Sequence, residues 1–226
     1  MVNVMKESVM KDSVMKTNQE KFWLSSFGDE YLKRNLTYED FNLLYKKQTG
    51  FNVDKPFQDF FVDMDRNMSI LEFGCNVGIK LEILKKMGFR NLTGVDINEK
   101  AIEIAKKRNP EIKFIHSTID NLISKDNKYD LVFTSLVLIH QSPEKIITII
   151  SKIIELSKKY IFGYEYFSDQ LTEIEYRGNT NVLWKQNFVE LFQKNQPLLK
   201  LIKEKKYYYL KNELVDIGFP FKKDNK

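Results

Sequence analysis

The chain has 226 residues, of which 42% are hydrophobic and 30% charged, with a single cysteine, Cys75. This length can bury one substantial core, so we expect one α/β domain with added segments. No run of about 18 uncharged apolar residues occurs, and no basic region with an apolar block follows the N-terminus, so we expect a soluble, cytoplasmic protein. One cysteine excludes an internal disulfide and a cysteine-based zinc site, and we expect no bound metal.

The net charge of +5 and the pI near 9.0 suggest a nucleic-acid partner, but other features weaken this interpretation. Only five of the 36 basic residues are arginine, and residues 200–226 hold eight lysines against four acids. Such a distribution is typical of a compositional bias and a solvated surface. Nucleic acid is therefore the less favoured partner.

The first segment is an imperfect five-residue repeat, VMKES-VMKDS-VMKT. A period of five fits neither a helix nor a strand, so we interpret residues 1–17 as a low-complexity tail that is frayed or disordered. The domain then spans residues 18–226, and it begins with an aromatic stripe. The stripe lies on one helical face if Gly28 leaves the helix unbroken, and it either packs on the core or closes as a lid over a ligand. Its members are Trp23, Phe27, Tyr31 and Arg34.

From residue 69 onward, strands and helices alternate. The predicted strands are SILEFG, LTGVD, IKFIH, YDLVFT and KYIFGYE, and helices are predicted at IKLEILKKMG, NEKAIEIAKKRN and PEKIITIISKIIELSKK. This alternation predicts a parallel sheet with right-handed crossovers. Ligands bind such sheets at the carboxyl ends of the strands.

The first of these carboxyl ends carries the stretch ILEFGCNVGIK. Gly74 and Gly78 permit positive φ and a close approach of the backbone to a ligand, and Asn76 is tolerant of positive φ. Asp96 ends the second strand, 22 residues after Gly74, where a carboxylate can accept hydrogen bonds from a ribose. The alternative is that Asp96 only caps the helix beginning near Asn98.

Glu72 separates two classes of nucleotide cofactor. Dinucleotide loops wrap a pyrophosphate and usually read GxGxxG, whereas here an acid precedes a GxxxG spacing. S-adenosylmethionine has no phosphate but carries an ammonium group, which an acid at the strand end can hold directly or through water. Glu72 therefore favours S-adenosylmethionine over a nicotinamide cofactor.

Several strings in this order resemble class I S-adenosylmethionine-dependent methyltransferases: ILEFGCNVG, LTGVDIN, IKFIHSTIDNL and YDLVFTSLVLIHQSPEK. The strings EKFWLSSFGDEYLKRN, EYRG, LWKQNF and LVDIGFPFKKDN extend the resemblance to the methylases associated with pseudaminic acid biosynthesis. The resemblance implies a Rossmann-like fold with a mostly parallel sheet of about seven strands. It also divides the domain into an N-terminal helical cap (18–66), a cofactor-binding core (67–166), and a substrate-side insertion with C-terminal strands (167–226).

The resemblance also implies which residues meet the cofactor. Asp96 matches the ribose-binding acid, and Thr118 stands where many relatives have aspartate. Tyr31 and Arg34 match a segment that covers the cofactor and can reach its carboxylate. The other implied cofactor-binding residues are Glu72, Gly74, Asn76, Gly78, Ile97, Ile119, Thr134 and Leu136.

His140 is the candidate general base, because its turn follows the fourth strand and its ordinary pKa lies near neutrality. A structural role for His140 is the alternative. Arg177 is a candidate for binding an acidic substrate, since its fork suits a carboxylate or phosphate, although it could instead pair with Glu175. The remaining candidate substrate-binding residues are Trp23, Phe27, Tyr164 and Glu165.

These observations predict methyl transfer to an oxygen or nitrogen of a small molecule, with a sugar, nucleotide sugar or nonulosonic acid precursor as the expected acceptor. An RNA or protein methyltransferase is the alternative. We expect a monomer or homodimer. At the C-terminus, either KKYYYL completes the sheet beside ELVDIGFPF, with Pro220 suited to an edge strand, or the edge stays open to a second subunit.

Overall fold

The computed structural model describes residues 17–34, 37–122 and 128–224, without the side chain of Arg34. Of the tail predicted for residues 1–17, only Thr17 is among them. The helices are α1 Asn18–Trp23, α2 Ser26–Arg34, α3 Tyr38–Thr49, α4 Lys55–Phe61, α5 Ile79–Lys86, α6 Glu99–Arg108, α7 Ile146–Leu156 and α8 Phe188–Asn195, with a 3-10 turn at Leu138–His140. None of the described helices is long and apolar enough to cross a bilayer.

The strands form one eight-stranded sheet and a separate hairpin. They are β1 Ser69–Phe73, β2 Asn91–Asp96, β3 Lys113–His116, β4 Tyr129–Ser135, β5 Ser157–Tyr166, β6 Thr172–Glu173, β7 Trp184–Lys185, β8 Leu199–Leu201, β9 Lys205–Tyr208 and β10 Val215–Lys223. The order is β3-β2-β1-β4-β5-β10-β8, with β9 also paired to β10. Strands β1 to β5 are parallel and β8 to β10 antiparallel, which confirms the predicted mostly parallel sheet.

Alternating side chains divide the core between the two faces of the sheet. Leu131 and Phe133 of β4 pack on one face with α4, α5 and α6, whereas Val132 packs on the other with α7 and α8. This follows from the period of two in a strand. Because both faces are covered, the ligand-accessible part of the sheet is the edge at its carboxyl ends.

The N-terminal helix breaks earlier than Gly28. Helix α1 is capped by Thr17, which accepts a hydrogen bond from the Glu20 amide, and it ends at Trp23. Gly28 lies inside α2, where its missing side chain lets the backbone approach the Trp23 carbonyl. The stripe therefore spans two short helices, yet the rings of Trp23 and Tyr31 remain in contact, with centroids 5.3 Å apart.

The C-terminal edge is completed by two short strands. Strand β8 pairs with the end of β10 and β9 pairs with its start, and the register moves by one residue between them. The prediction that KKYYYL completes the sheet agrees with this arrangement. Pro220, however, lies inside β10, which pairs with β5 on one side and with β8 and β9 on the other, so its assignment to an edge strand was wrong. Its carbonyl accepts from Ile202 at the gap between β8 and β9, where no ladder N–H is needed.

Candidate functional site

The loop after β1 has the backbone conformation that its residue types predict. Gly74, Asn76 and Gly78 adopt φ values of 72°, 49° and 80°. The amides of Gly74 and Cys75 donate to the Val95 carbonyl at 2.8 and 3.0 Å, which fixes the loop to the end of β2. A Cβ on Gly74 would lie 2.5 Å from Val137, so this position needs both positive φ and the absence of a side chain.

Asp96 joins this loop to the next turn. Its carboxylate accepts hydrogen bonds from the amides of Asn76 and Asn98, each at 2.8 Å, and burial raises its pKa. The cap of α6 is Asn98, whose side chain accepts from the Ala101 amide at 3.2 Å. The capping role considered for Asp96 therefore belongs to Asn98, and Asp96 lines the cavity in front of the loop.

Glu72 is a fully buried carboxyl group behind this loop. Neither of its side-chain oxygens has a hydrogen-bond partner within the described residues. Burial raises its pKa to about 8, the positive charge of Lys80 opposes this rise, and the negative charge of Asp96 adds to it. A buried charged carboxyl without a partner is costly, which favours the protonated form of Glu72.

A cavity lies at the carboxyl ends of the parallel strands, between the loop, the turn after β4 and helices α1 and α2. Leu136, which closes β4, adopts φ 57°, a conformation that a leucine rarely takes. The structure brings together at this cavity ten of the candidate residues: Trp23, Tyr31, Gly74, Asn76, Asp96, Ile97, Thr118, Ile119, Leu136 and His140.

Seven other candidates, all within the described residues, do not line the cavity. Gly78 begins α5, where a Cβ would meet the ring of Phe114 at 2.8 Å. Thr134 is buried inside β4, and the neighbouring Ser135 lines the cavity instead. The predicted carboxylate contact of Arg34 lies outside the described residues, since only its backbone is described. The remaining candidates outside the cavity lining are Glu72, Phe27, Tyr164, Glu165 and Arg177.

His140 lies in the 3-10 turn after β4 and is almost fully buried. Its Nδ1 is 2.9 Å from the Val182 carbonyl oxygen, and because a carbonyl can only accept, Nδ1 carries the proton. Burial lowers its pKa to about 4. The imidazole is therefore neutral near pH 7, with Nε2 as its acceptor atom. The rings of Trp23 and Tyr176 pack against it, with centroids 4.7 and 5.4 Å away.

Glu165 supports this turn from beneath. It is fully buried on β5 and accepts hydrogen bonds from the amides of Val137 (3.0 Å) and Ile139 (3.4 Å). Burial raises its pKa to about 7. These contacts assign Glu165 to positioning the turn that carries His140.

Tyr164 points to the opposite face of the sheet and takes part in a buried hydroxyl cluster. Its hydroxyl donates to Asp216 at 2.7 Å and is hydrogen-bonded to Tyr45, while Tyr209 donates to the same carboxyl at 3.2 Å. Burial raises the pKa of Asp216 to about 7. These contacts join α3, β5 and β10.

Helices α1 and α2, which together are called the lid, meet the segment that contains the β6–β7 hairpin. Phe27 and Arg177 lie at this junction. The ring of Phe27 is 5.8 Å from that of Tyr176, and Gln19 donates to the Asn181 carbonyl at 3.3 Å. The exposed Arg177 adopts φ 53° and lies 5.7 Å above the Tyr176 ring. Among the residues that the structure describes, it forms no ion pair with Glu175 or any other acid.

Sequence reasoning missed several residues of the cavity. Lys80 is the second residue of α5, and Phe41 comes from α3, which the sequence did not predict as part of the site. Adjacency to the loop could have identified Lys80, whereas Phe41 and Lys145 come from elements whose packing the sequence does not specify. No group of three or more His, Cys, Asp or Glu in the described ranges is arranged to hold a metal.

Comparison with known proteins shows that the core of the chain matches the model of one protein family. Residues 70–159 match a family model described as a methyltransferase domain. A ribosomal protein L11 methyltransferase from Dictyoglomus thermophilum is 32% identical over 78 residues, which cover 33% of this chain and 25% of that relative. This chain therefore aligns with only a quarter of that relative's length.

Solved structures share the fold over most of the chain. Magnesium protoporphyrin IX methyltransferase from Synechocystis PCC 6803, solved with bound S-adenosylmethionine, superposes with TM-score 0.65 at 16% identity, covering 93% of this chain and 99% of that one. An N-methyltransferase from Bradyrhizobium japonicum, in complex with S-adenosylhomocysteine, superposes with TM-score 0.63 at 16% identity over 87% and 98%. Residues 70–159 therefore match a methyltransferase domain, and most of the chain shares the fold of these two methyltransferases.

Proposed function

We propose that this protein transfers a methyl group from S-adenosylmethionine to an oxygen or nitrogen of a small acidic sugar, such as a nucleotide sugar or nonulosonic acid precursor of a surface glycan. The observation that carries the methyl-transfer part is the buried, unpartnered carboxyl of Glu72 at the end of β1, beneath a loop of positive-φ residues that lines the cavity together with Asp96. When bound, the cofactor supplies an electrophilic methyl group on its sulfonium.

The chain's residues fit this cofactor. Glu72 offers a carboxylate to the ammonium group, and Asp96 offers oxygens to the ribose hydroxyls while its amide contacts hold the loop in place. Ile97 and Ile119 offer apolar surface to the adenine at the other end of the cavity. The positive φ values of Gly74 and Asn76 let the backbone approach the ligand closely.

His140 is the proposed base. The Val182 carbonyl fixes its tautomer, which leaves Nε2 to accept a proton from the acceptor's hydroxyl or amine. A pKa of about 4 makes it a weak base, so alignment of the acceptor supplies most of the rate. Trp23 and Tyr176 pack against its ring and limit the access of water.

The small-molecule acceptor is supported by the way α1 and α2 close the site. Trp23 packs on His140, and Phe27 contacts Tyr176, so a macromolecular acceptor would have to displace the lid. Arg177 has no acidic partner among the described side chains and offers a charged fork at the rim. An acidic group on the acceptor suits that fork.

A protein acceptor is the second candidate. It is favoured by the likeness to a ribosomal protein L11 methyltransferase, but that alignment covers a third of this chain. An RNA acceptor is supported by the net charge of +5 alone. RNA binding that does not weaken with added salt would count against it, because phosphate contacts depend on counterion release.

Calorimetry tests the cofactor. S-adenosylmethionine and S-adenosylhomocysteine should bind, and NAD should not. Glu72→Gln should weaken S-adenosylmethionine by roughly tenfold or more, since hydrogen bonds to charged groups are worth about 1.5–3 kcal/mol, and should leave adenosine unchanged. Equal losses for both ligands would remove Glu72 from ammonium recognition.

Mass spectrometry tests the acceptor. Incubation with nucleotide sugars and nonulosonic acids should give a mass increase of ~14 Da for the methyl group, as a methyl replaces a proton, and Arg177→Ala should raise the KM of the acidic acceptor. Methylation of RNA or of ribosomal protein, with no reaction on any acidic sugar, would overturn the proposed acceptor and retain the methyltransferase.

A further inference from the structure

We propose that Lys80 is the cofactor's carboxylate-binding residue, so that Glu72 and Lys80 together recognise the zwitterionic amino-acid end of S-adenosylmethionine. This inference rests on the proposed function and assigns a residue that the sequence patterns did not identify. It starts from the position of Lys80 in the cavity and from the charges around it.

Lys80 lies in the first turn of α5, directly after the loop that ends at Gly78. It lines the cavity together with Gly74 and Asn76 of that loop. Its Nζ is 4.9 Å from the centroid of the Phe41 ring, and Phe41 lines the same cavity. The ammonium group is therefore held near the ligand space by an aromatic face.

This ammonium is not neutralised by a direct partner. Within residues 17–34, 37–122 and 128–224, Lys80 has neither an ion pair nor a hydrogen bond. Burial lowers its pKa, while the charges of Glu72, Glu165 and Asp96 act in the opposite direction. Three N–H donors therefore remain available to an anionic ligand group.

Charge placement selects Lys80 over the other cation at the cavity. Among the described residues that line it, the positively charged side chains are Lys80 and Lys145. Lys145 is exposed at the start of α7, whose Ile149 packs in the same cluster as Ile119. Lys145 thus lies at the exposed start of α7, whereas Lys80 lies in the first turn after the loop that covers Glu72.

The two unsatisfied groups have opposite charge and flank one loop. Glu72 is fully buried with both oxygens unpartnered, and Lys80 is more than 4.0 Å from it, so they do not satisfy each other. A ligand with an ammonium and a carboxylate on one carbon can satisfy both. An amino-acid end has this chemistry, whereas adenosine alone and a pyrophosphate do not.

The test compares S-adenosylmethionine with its decarboxylated analogue, which keeps the sulfonium and an ammonium and lacks the carboxylate. By calorimetry, the wild-type protein should bind S-adenosylmethionine more tightly. Lys80→Met should weaken S-adenosylmethionine at least tenfold and leave the analogue unchanged or tighter, since a like charge has been removed. Lys80→Arg should retain part of the preference.

Two controls give each outcome a meaning. Lys85→Met, on the same helix but paired outward with Glu111, should change neither affinity. Glu72→Gln should weaken both ligands, because both keep an ammonium. Equal loss of the two ligands in Lys80→Met, or no loss, would overturn the inference. Failure of the wild-type protein to bind S-adenosylmethionine would instead overturn the proposed function.

Discussion

At the scale of single residues, the loop after β1 depends on three residues that adopt positive φ. Gly74, Asn76 and Gly78 predict positive φ, because few other residue types tolerate it. All three adopt positive φ in the structure. The missing partners of Glu72 depend on what surrounds the strand end, so only the packed structure reveals them. Lys80 went unnoticed for the same reason.

Gly74 should be intolerant of any side chain. In Gly74→Ala, the left-handed conformation costs about 1–2 kcal/mol, and overlap with Val137 adds about 1–3 kcal/mol. Gly178→Ala is the matched control, because its φ is 77° and nothing lies within 4 Å of an added Cβ. Chemical denaturation should show the larger loss for Gly74→Ala, accompanied by weaker cofactor binding. Equal losses would contradict the steric explanation.

His140 should remain neutral well below its ordinary pKa. Burial lowers that pKa to about 4, so NMR of labelled imidazole should show the Nδ1–H tautomer unchanged between about pH 5 and 8. The unfolded chain takes up this proton near pH 6.5. The contribution of His140 to stability should therefore fall as pH drops from about 6.5 toward 4, in the opposite direction to the contribution of the buried carboxyls. His116→Gln assigns the signals, and a midpoint near 6.5 for His140 would refute the burial argument.

At the scale of elements, the hydrophobic periodicity of the sequence predicted the core strands and helices, and it did not predict the two short helices of the lid. The alternation from residue 69 predicted β1 to β5 and the helices between them, since burial on two faces leaves a clear pattern. Helices α1 and α2 are short and partly exposed, so their break at Leu24 and Ser25 left little trace in the sequence. Their contact with the site is a tertiary feature.

The lid should control the escape of the cofactor. Trp23→Ala removes the ring that packs on His140 and contacts Tyr31, so S-adenosylhomocysteine should dissociate roughly tenfold faster in stopped-flow measurements. Phe22→Ala is the matched control, because Phe22 contacts Trp23 and Phe27 and does not line the cavity. An equal change in both variants would indicate general destabilisation of the lid.

At the scale of the whole molecule, three buried carboxyls surround the carboxyl ends of the sheet. Burial raises the pKa of Glu72 to about 8 and those of Glu165 and Asp216 to about 7. They lie on β1, β5 and β10. The pH dependence of the free energy of unfolding therefore arises near the edge of the sheet that carries the site. The three carboxyls are distant in sequence, so the topology of the sheet brings them to the same edge.

Stability should therefore decline as pH rises from about 5 to 8. In the unfolded chain these acids ionise near pH 4, whereas folded they stay protonated to about 7 or 8, so the stabilisation present below pH 4 is lost through that range. Each contributes a slope of up to roughly 1.4 kcal/mol per pH unit. Thermal unfolding at constant ionic strength measures it.

Asp216→Asn should flatten that slope, because an amide does not ionise and still accepts from the tyrosine hydroxyls. Asp63→Asn, at an exposed position, is the control and should leave the slope unchanged. A slope that both variants preserve would mean that Asp216 is already ionised at neutral pH in the folded protein.

The sequence by itself determined the parallel core, the conformation of the loop after β1 and the place of Asp96, because periodicity and residue type act locally. Tertiary structure decided which groups lack partners, how β8 and β9 share β10, and that Glu165 supports the turn of His140 while Tyr164 faces away from it. The physical reason is that desolvation, hydrogen-bond satisfaction and side-chain packing depend on all neighbours in space. Neighbours along the chain account for only a small part of them.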